Sequence, residues 1–583
     1  MVGAANVGGR EYGPYSPLNR RPNAGNTLED EGKSSESTSE RFAGPTGSAA
    51  AAMGRGGGNS STAVDMRGPE PDDYLHDPKG VDGHSNKISA RGFFNALTLL
   101  VLVLALLMLF AGYPILYQLL RDKVGTKGAF NLGGTNGTGQ VASLVGLRAL
   151  VDPDTPTDAK TWTSPVSKNT YNLQFSDEFE QEGRTFWPGD DQFFEAADIW
   201  YGVTGDYEWY SPEMVNTTGG ALVLTMTDIP AHNLNFQSGM VQSWNKLCFQ
   251  GGYIEFSIIQ PGTEETQGYW PGAWTMGNLG RPGHPGSTDG MWPYSYSGCD
   301  TGILPNQTNK AGGPTYAVDS TAQYAANGQL SKLPGMRYPS CTCAGEDHPG
   351  PNNNVARSAP EMDVLEAQIQ TKNGAKHSYA SQSLQTAPFD NDYFPVNSTY
   401  QIHGTQTEIN TYTGGPYQEA VSAVSQVPSR GFMGAPGTDA EKYVTYGLEY
   451  KPDFKMNGDS FITWYVDGKA TWTVTGDALP ARPEMEIGRR LIPLEPMAIV
   501  MNLGISKQFQ TIVWDEIEFP AQMKFDYVRV YQQKGSERMS CDPSDFPTKD
   551  YINRHMNAYT NPNFTVWGDT GNSWPKNSLL TGC

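Results

Sequence analysis

"SFITWYVDGKATWTV", Ser460 to Val474, reads as two short strands joined by a two-residue turn. Apolar and polar residues alternate with period two on both sides of Asp467-Gly468, the side-chain repeat of a half-buried strand. Asp-Gly between two such runs is a hairpin signal, because both turn residues must adopt positive φ. The same alternation recurs in "GALVLTMTD" (Gly220 to Asp228), "GGYIEFSIIQ" (Gly251 to Gln260) and "KFDYVRVYQQ" (Lys524 to Gln533). After the apolar run near residue 100 no long amphipathic helical pattern interrupts them. Many short strands with turn signals imply an all-β sandwich or barrel.

The 583 residues exceed what one small domain needs and predict one large domain with additions. Charged residues make up 18%, aromatics 11%, and the formal net charge is -21. Such a chain lacks the Lys and Arg that a nucleic-acid backbone requires, so nucleic acid is excluded as a partner. Aromatic abundance with few cations fits a neutral polar ligand such as a sugar, and fits equally an aromatic-rich β core.

"RGFFNALTLLVLVLALLMLFAGYPILYQLLRDK" (Arg91 to Lys123) holds an uncharged run from Phe93 to Leu116. As a helix rising about 1.5 Å per residue it exceeds the roughly 30 Å hydrocarbon core, which predicts a transmembrane anchor and a lipid-bilayer partner. Its position and length argue against a cleaved signal peptide. Flanking cations do not orient it, since Lys79, Lys87 and Arg91 balance Arg121, Lys123 and Lys127. Cysteines do. Cys248, Cys299, Cys341, Cys343, Cys541 and Cys583 all follow the span, as disulfides of an oxidising lumen would. No CxxC pair or Cys/His quartet favours zinc instead. The glycosylation sequons at Asn136, Asn216, Asn306, Asn397 and Asn563 lie on the same side. The expected arrangement is type II: cytosolic N-terminus, lumenal or extracellular C-terminal domain, somewhere on the secretory route.

Residues 1–91 are Gly-, Ser-, Ala- and Pro-rich and predict a disordered tail, because they bury too little surface to offset ordering entropy. The remaining divisions are the span at 92–120, a stalk at 121–168, the β domain at 169–533 and a Cys-containing extension at 534–583.

"APEMDVLEAQ", Ala359 to Gln368, places Glu361, Asp363 and Glu366 among apolar Met362, Val364 and Leu365. Burying acids beside apolar residues is costly unless they are used. On a helix the three form no single stripe. On a strand Glu361 and Asp363 share a face, and one extra residue in a bulge at Val364-Leu365 returns Glu366 to it. A row of acids suits retaining glycosidases, where one carboxylate is the nucleophile and another a general acid. A third between them can hydrogen-bond the nucleophile and raise the acid's pKa. The plain alternative is a half-exposed acidic strand.

"EMDVLE" resembles the bulged Glu-x-Asp-x-x-Glu motif of glycoside hydrolase family sixteen, the laminarinase- and lichenase-like β-glucanases. "GYWPGAW" (Gly268 to Trp274) resembles that family's G-x-W-P-x-x-W stretch, and "LQFSDEF" (Leu173 to Phe179) its first strand. "TYGLEYKPD" (Thr445 to Asp453), "WYVDG" and "FDYVRVYQ" (Phe525 to Gln532) look like its closing half. The resemblance covers about residues 170 to 533. It implies a concanavalin-like β-jelly-roll of two antiparallel sheets, with Glu361 as nucleophile, Asp363 as assisting acid and Glu366 as general acid/base. Trp270 and Trp274 then share a strand face as sugar platforms, with Trp244 and Trp292 as further candidates; no His has a supported role. Some members hold a structural calcium, but no residue set here identifies one, and no other cofactor is expected.

With the tail and anchor, the whole resembles fungal β-glucan-synthesis-associated membrane proteins, which implies a role in cell-wall β-1,6-glucan. One departure from secreted glucanases is an insert at 276–358 carrying Cys299, Cys341 and Cys343, expected to roof the cleft under disulfide restraint. Two functions compete: a β-glucan glycosidase or transglycosylase, and a non-catalytic glucan-binding or scaffolding protein. Intact Glu361, Asp363 and Glu366 favour the first.

Overall fold

The computed structural model describes residues 90–113, 148–322, 325–391, 393 and 395–583. They belong to two units, a helical segment and the body from 148 onward, each described by itself. The segment is one helix, Ala90–Gly112, 23 residues long and strongly apolar. Its last turn, Met108–Gly112, widens to π geometry. At about 1.5 Å per residue it is long enough and apolar enough to cross a membrane. The expected tail, the span beyond Tyr113 and most of the stalk lie outside the described residues.

The body is all-β, built on two ten-stranded sheets that are antiparallel throughout. In the first, strands follow the order Thr161–Thr163, Thr170–Asp177, Ala521–Gln532, Gly252–Ile259, Val444–Lys451, Phe461–Val466, Lys469–Thr475 and Tyr400–Ile402. The second runs Thr407–Ile409, Gln418–Gln426, Ala375–Thr386, Glu361–Lys372, Trp270–Gly277, Met497–Gly504, Met240–Gln242 and Glu195–Ala196. Each carries two further short strands. Their inner faces close one core that includes Phe256, Met362, Leu384, Trp464, Trp472 and Met501. The four segments expected as strands are strands, and the sandwich of two antiparallel sheets is the expected one.

The hairpin expected at Asp467-Gly468 is present. Its two turn residues have φ of 54° and 70°, the left-handed pair that matches the twist of the flanking strands. The hairpin also positions Trp464. That indole stacks on Trp472 with ring centroids 4.5 Å apart. Its N–H crosses to the other sheet and donates to the Asp363 carbonyl at 2.8 Å. Trp464→Phe leaves that buried carbonyl without its donor. The expected cost is about 1–3 kcal/mol in denaturant unfolding, with a fall in any turnover that depends on the acid strand.

The segments flanking the expected β domain pack onto it. Of the stalk expected at 121–168, the described residues 148–168 lie against the body. Arg148 bonds Asp177 at 2.9 Å and Asp152 at 2.8 Å. Thr161–Thr163 pairs with Thr170–Asp177, and Trp162 stacks on Tyr253 at 3.6 Å. Aromatic burial and ion pairing draw the segment onto the first sheet. The extension 534–583 is likewise packed, through the Cys248–Cys541 and Cys343–Cys583 disulfides. All six cysteines are paired, the third bond being Cys299–Cys341 inside the insert. The insert itself does not roof the cleft, as shown below.

Candidate active site

The acid strand Glu361–Lys372 lies between Trp270–Gly277 and Ala375–Thr386. Its pairing with the latter shifts between Asp363 and Glu366: Asp363 faces Ser383, Glu366 faces Ser381, and both Val364 and Leu365 fall opposite Gln382. This is the expected bulge. Met362, Val364 and Leu365 are fully buried in the core. Glu361, Asp363 and Glu366 open to the other side. Were the strand regular through Val364 and Leu365, with no bulge, Glu366 would project into that core.

The acids line a cleft of about 320 Å³ on the outer face of the second sheet. Trp270 and Trp274, on the neighbouring strand, line it too, as expected from their spacing. Gly272 stands between them. A Cβ at Gly272 would come 2.4 Å from Asn502 Oδ1, so the strand must be bare there for Asn502 to reach Trp274.

Hydrogen bonds fix each acid separately. Trp292 Nε1 donates to Glu361 Oε2 at 2.7 Å. Trp270 Nε1 donates to Glu366 Oε1 at 3.0 Å, and the Trp270 ring is held flat against Phe509 at 4.3 Å. Gln385 Nε2 donates to Asp363 Oδ2 at 3.0 Å. Asp363 also hydrogen-bonds Glu361.

Burial holds all three carboxyls above their ordinary range, and the Glu366 charge adds to the effect at Glu361. Glu366 is pushed up to about 7. Three like charges cannot all ionise in so small a space, so the cluster retains protons at neutral pH. Burial and the Glu366 charge push Glu361 up to about 8, above Glu366, so the free cleft holds most of its protons at neutral pH. The hydrogen bonds that Glu361 receives from Trp292 and Asp363 act the other way and lower the cost of ionising it.

A second polar row, not anticipated from sequence, faces the first. Trp274 Nε1 donates to Asn502 Oδ1 at 2.9 Å. Asn502 Nδ2 donates to the Tyr210 hydroxyl at 3.1 Å. Tyr210 in turn donates to Asp206 Oδ2 at 3.2 Å. Burial pushes Asp206 up to about 7 and Glu208 well above its ordinary range. Tyr201, Thr204, Asp206 and Tyr210 all line the cleft. The signal was present in "TGDYEWY", where Asp206, Glu208 and Tyr210 recur with period two, but the run is too short to stand out from its loop.

Two tryptophan assignments change. Trp244 is not in the cleft: its ring stacks on Tyr559 at 5.3 Å, Arg281 lies over it at 4.7 Å, and its N–H donates to the Asn278 carbonyl at 3.0 Å. The extension and the insert cover it as core. Trp292 is 3% exposed, so it offers no face to a sugar and acts instead as the donor to Glu361. It is also the insert's link to the acids. Among the described residues, those lining the cleft include none from 278 to 358. The insert packs beside the site around a core in which its Tyr294, Leu330 and Met336 join Phe389, Tyr393 and Ile487 of the β domain, and the Cys299–Cys341 bond closes the segment. Of the sequons, Asn216, Asn397 and Asn563 are exposed, Asn306 is half-buried, and Asn136 lies outside the described residues.

Fold and cleft together define a class: an all-β sandwich that presents a carboxylate-lined cleft on one sheet, flanked by indole rings. Residues 62–583 match the family described as Beta-glucan synthesis-associated protein SKN1/KRE6/Sbg1, and the chain belongs to that family. It is 42% identical over 539 residues to Beta-glucan synthesis-associated protein SKN1 of Saccharomyces cerevisiae, covering 88% of this chain and 66% of that protein. It is 46% identical over 447 residues to the KRE6 protein of the same yeast, covering 76% and 58%. The chain thus spans about two thirds or less of those relatives. Among solved structures, an endo-beta-1,3-glucanase from Pyrococcus furiosus matches with 17% identity and a TM-score of 0.37, over 65% of this chain and 98% of that one.

Proposed function

We propose that this protein is a membrane-anchored, β-glucan-active retaining glycosidase or transglycosylase that serves assembly of cell-wall β-1,6-glucan. The observation that carries the reading is the bulged strand: it puts Glu361, Asp363 and Glu366 in one cleft, each outer acid held by its own indole N–H. Membership of a β-glucan synthesis-associated family supports the substrate class.

In the first step the Glu361 carboxylate attacks the anomeric carbon. The glycosidic C–O bond breaks toward the leaving oxygen, which takes the Glu366 proton. Asp363 keeps its proton on Glu361 and orients it. In the second step Glu366, now ionised, takes a proton from water or a sugar hydroxyl. That oxygen attacks the anomeric carbon and frees Glu361. Water gives hydrolysis, and a sugar gives transfer.

The apolar helix and three disulfides support a single-pass type II protein of the secretory pathway with the catalytic body in the lumen or outside. The test is to incubate the protein with β-1,3- and β-1,6-linked oligosaccharides and size the products. Longer products mark transfer and shorter ones hydrolysis. Binding without any product would overturn the enzyme and leave a glucan-binding scaffold.

A further inference from the structure

A small three-stranded sheet, Ile199–Trp200, Glu208–Tyr210 and Phe236–Ser238, stands beside the cleft. Its two faces differ. Ile199 and Tyr210, directly paired, are 3% and 1% exposed, and Tyr210 lines the cleft. Trp200 and Trp209, the next pair, lie on the opposite face. Trp200 is 41% exposed and Trp209 partly so.

Neither indole is free to turn. Trp200 Nε1 donates to the Asp206 carbonyl at 2.8 Å, and its ring lies over Gly202, where an added Cβ would meet it at 3.0 Å. Trp209 Nε1 donates to Asp198 Oδ1 at 2.8 Å. The His232 ring stacks on Trp209 at 3.8 Å, presented by a turn in which His232 and Asn233 both have positive φ. The core gains little from these rings. Trp200 is a large apolar surface held rigidly in water, and Trp209 beside it, one face taken by His232, is partly so, the pattern of a recognition site rather than of packing.

We propose that Trp200 and Trp209 form an outer glucan-binding platform, on the face of this small sheet turned away from the cleft, that holds the neutral polysaccharide chain beyond it. The proposal rests on the β-glucan reading above. Three observations select this occupant. First, the platform adjoins the cleft: Tyr201, next to Trp200 in sequence, and Asp206, whose carbonyl accepts from Trp200, line the cleft from the other side of the same small element. Second, Asp198 at the platform of a chain with net charge -21 disfavours an anionic polymer. Third, fixed flat rings with a polar rim suit a sugar, whose faces are apolar and whose edges carry hydroxyls. Prior rigidity lowers the entropy lost on binding.

The experiment uses the full chain in detergent. Retention on insoluble linear β-1,3-glucan particles and turnover of short β-glucan oligosaccharides are measured for the parent, Trp209→Ala, Trp209→Tyr and Trp209→Leu. Loss of one platform ring is expected to weaken retention about tenfold, while short-oligosaccharide turnover is unchanged. Tyr restores retention and Leu does not, which separates ring stacking from general apolarity and from misfolding. Unchanged retention in Trp209→Ala with intact turnover overturns the platform alone, and so does a changed oligomeric state with unchanged retention, since the face would then meet a second copy. A parent that neither binds nor turns over either glucan overturns the β-glucan reading itself, and the platform with it.

Discussion

Glu361→Gln is expected to lower turnover of β-glucan oligosaccharides by about 10⁴-fold or more, because it removes the covalent route rather than a contact. Ligand affinity should stay near that of the parent. The amide oxygen can still accept from Trp292, and Trp270, Trp274 and Asn502 keep their places. Stability should rise. Burial raises Glu361 in the folded protein, so the folded state holds its proton after the unfolded chain, near pH 4.3, has released it. Stability associated with that proton is fully present below the unfolded pKa and declines as pH rises through the folded one. Gln cannot ionise and escapes the decline. Because the group opens partly to the cleft, the gain at pH 7 is about 1–2 kcal/mol. Oligosaccharide product analysis, ligand titration and denaturant unfolding of one sample check all three. Loss of binding together with turnover would mean that Glu361 holds the sugar rather than attacking it.

Glu366→Gln is expected to lower turnover of unactivated oligosaccharides by about 10²–10⁴-fold, the usual worth of a positioned general acid. An aryl β-glucoside with a good leaving group needs no protonation, so its glycosyl-enzyme should still form and be seen as a burst. The pH profile tests the same assignment. Glu366 is pushed up to about 7 by burial, and the first step needs it protonated. Glu361, pushed up to about 8, must at the same time be ionised, so activity should be confined to a band around pH 7–8 and fall on both sides of it. In Glu366→Gln the alkaline limb should disappear. A limb that persists would assign the proton to another raised acid lining the cleft, such as Asp206.

Much of this was legible locally. Period-two alternation and Asp467-Gly468 depend on residues a few positions apart, and they announced an all-β body. The bulge could be read from three acids and their apolar neighbours, because side-chain alternation on a strand leaves no other way to put Glu366 beside Asp363. Trp270 and Trp274 followed from the same rule. Trp244 and Trp292 did not, since a tryptophan's composition and strand position do not say what covers it. Tyr559 covers the first and Glu361 takes the N–H of the second.

By itself, then, the sequence determined the strands, the apolar helix, the row of acids and a set of cysteines all on one side of the helix. Tertiary structure alone decided that residues 148–168 and 534–583 join the body, that the insert stands beside the cleft, and that Asp206, Tyr210 and Asn502 complete it. Cys248 lies 293 positions from Cys541, and Asn502 lies 292 from Tyr210. Contacts of that separation leave no periodic trace in the chain. They exist only because two sheets, once closed on a common core, bring those side chains within hydrogen-bond or disulfide reach.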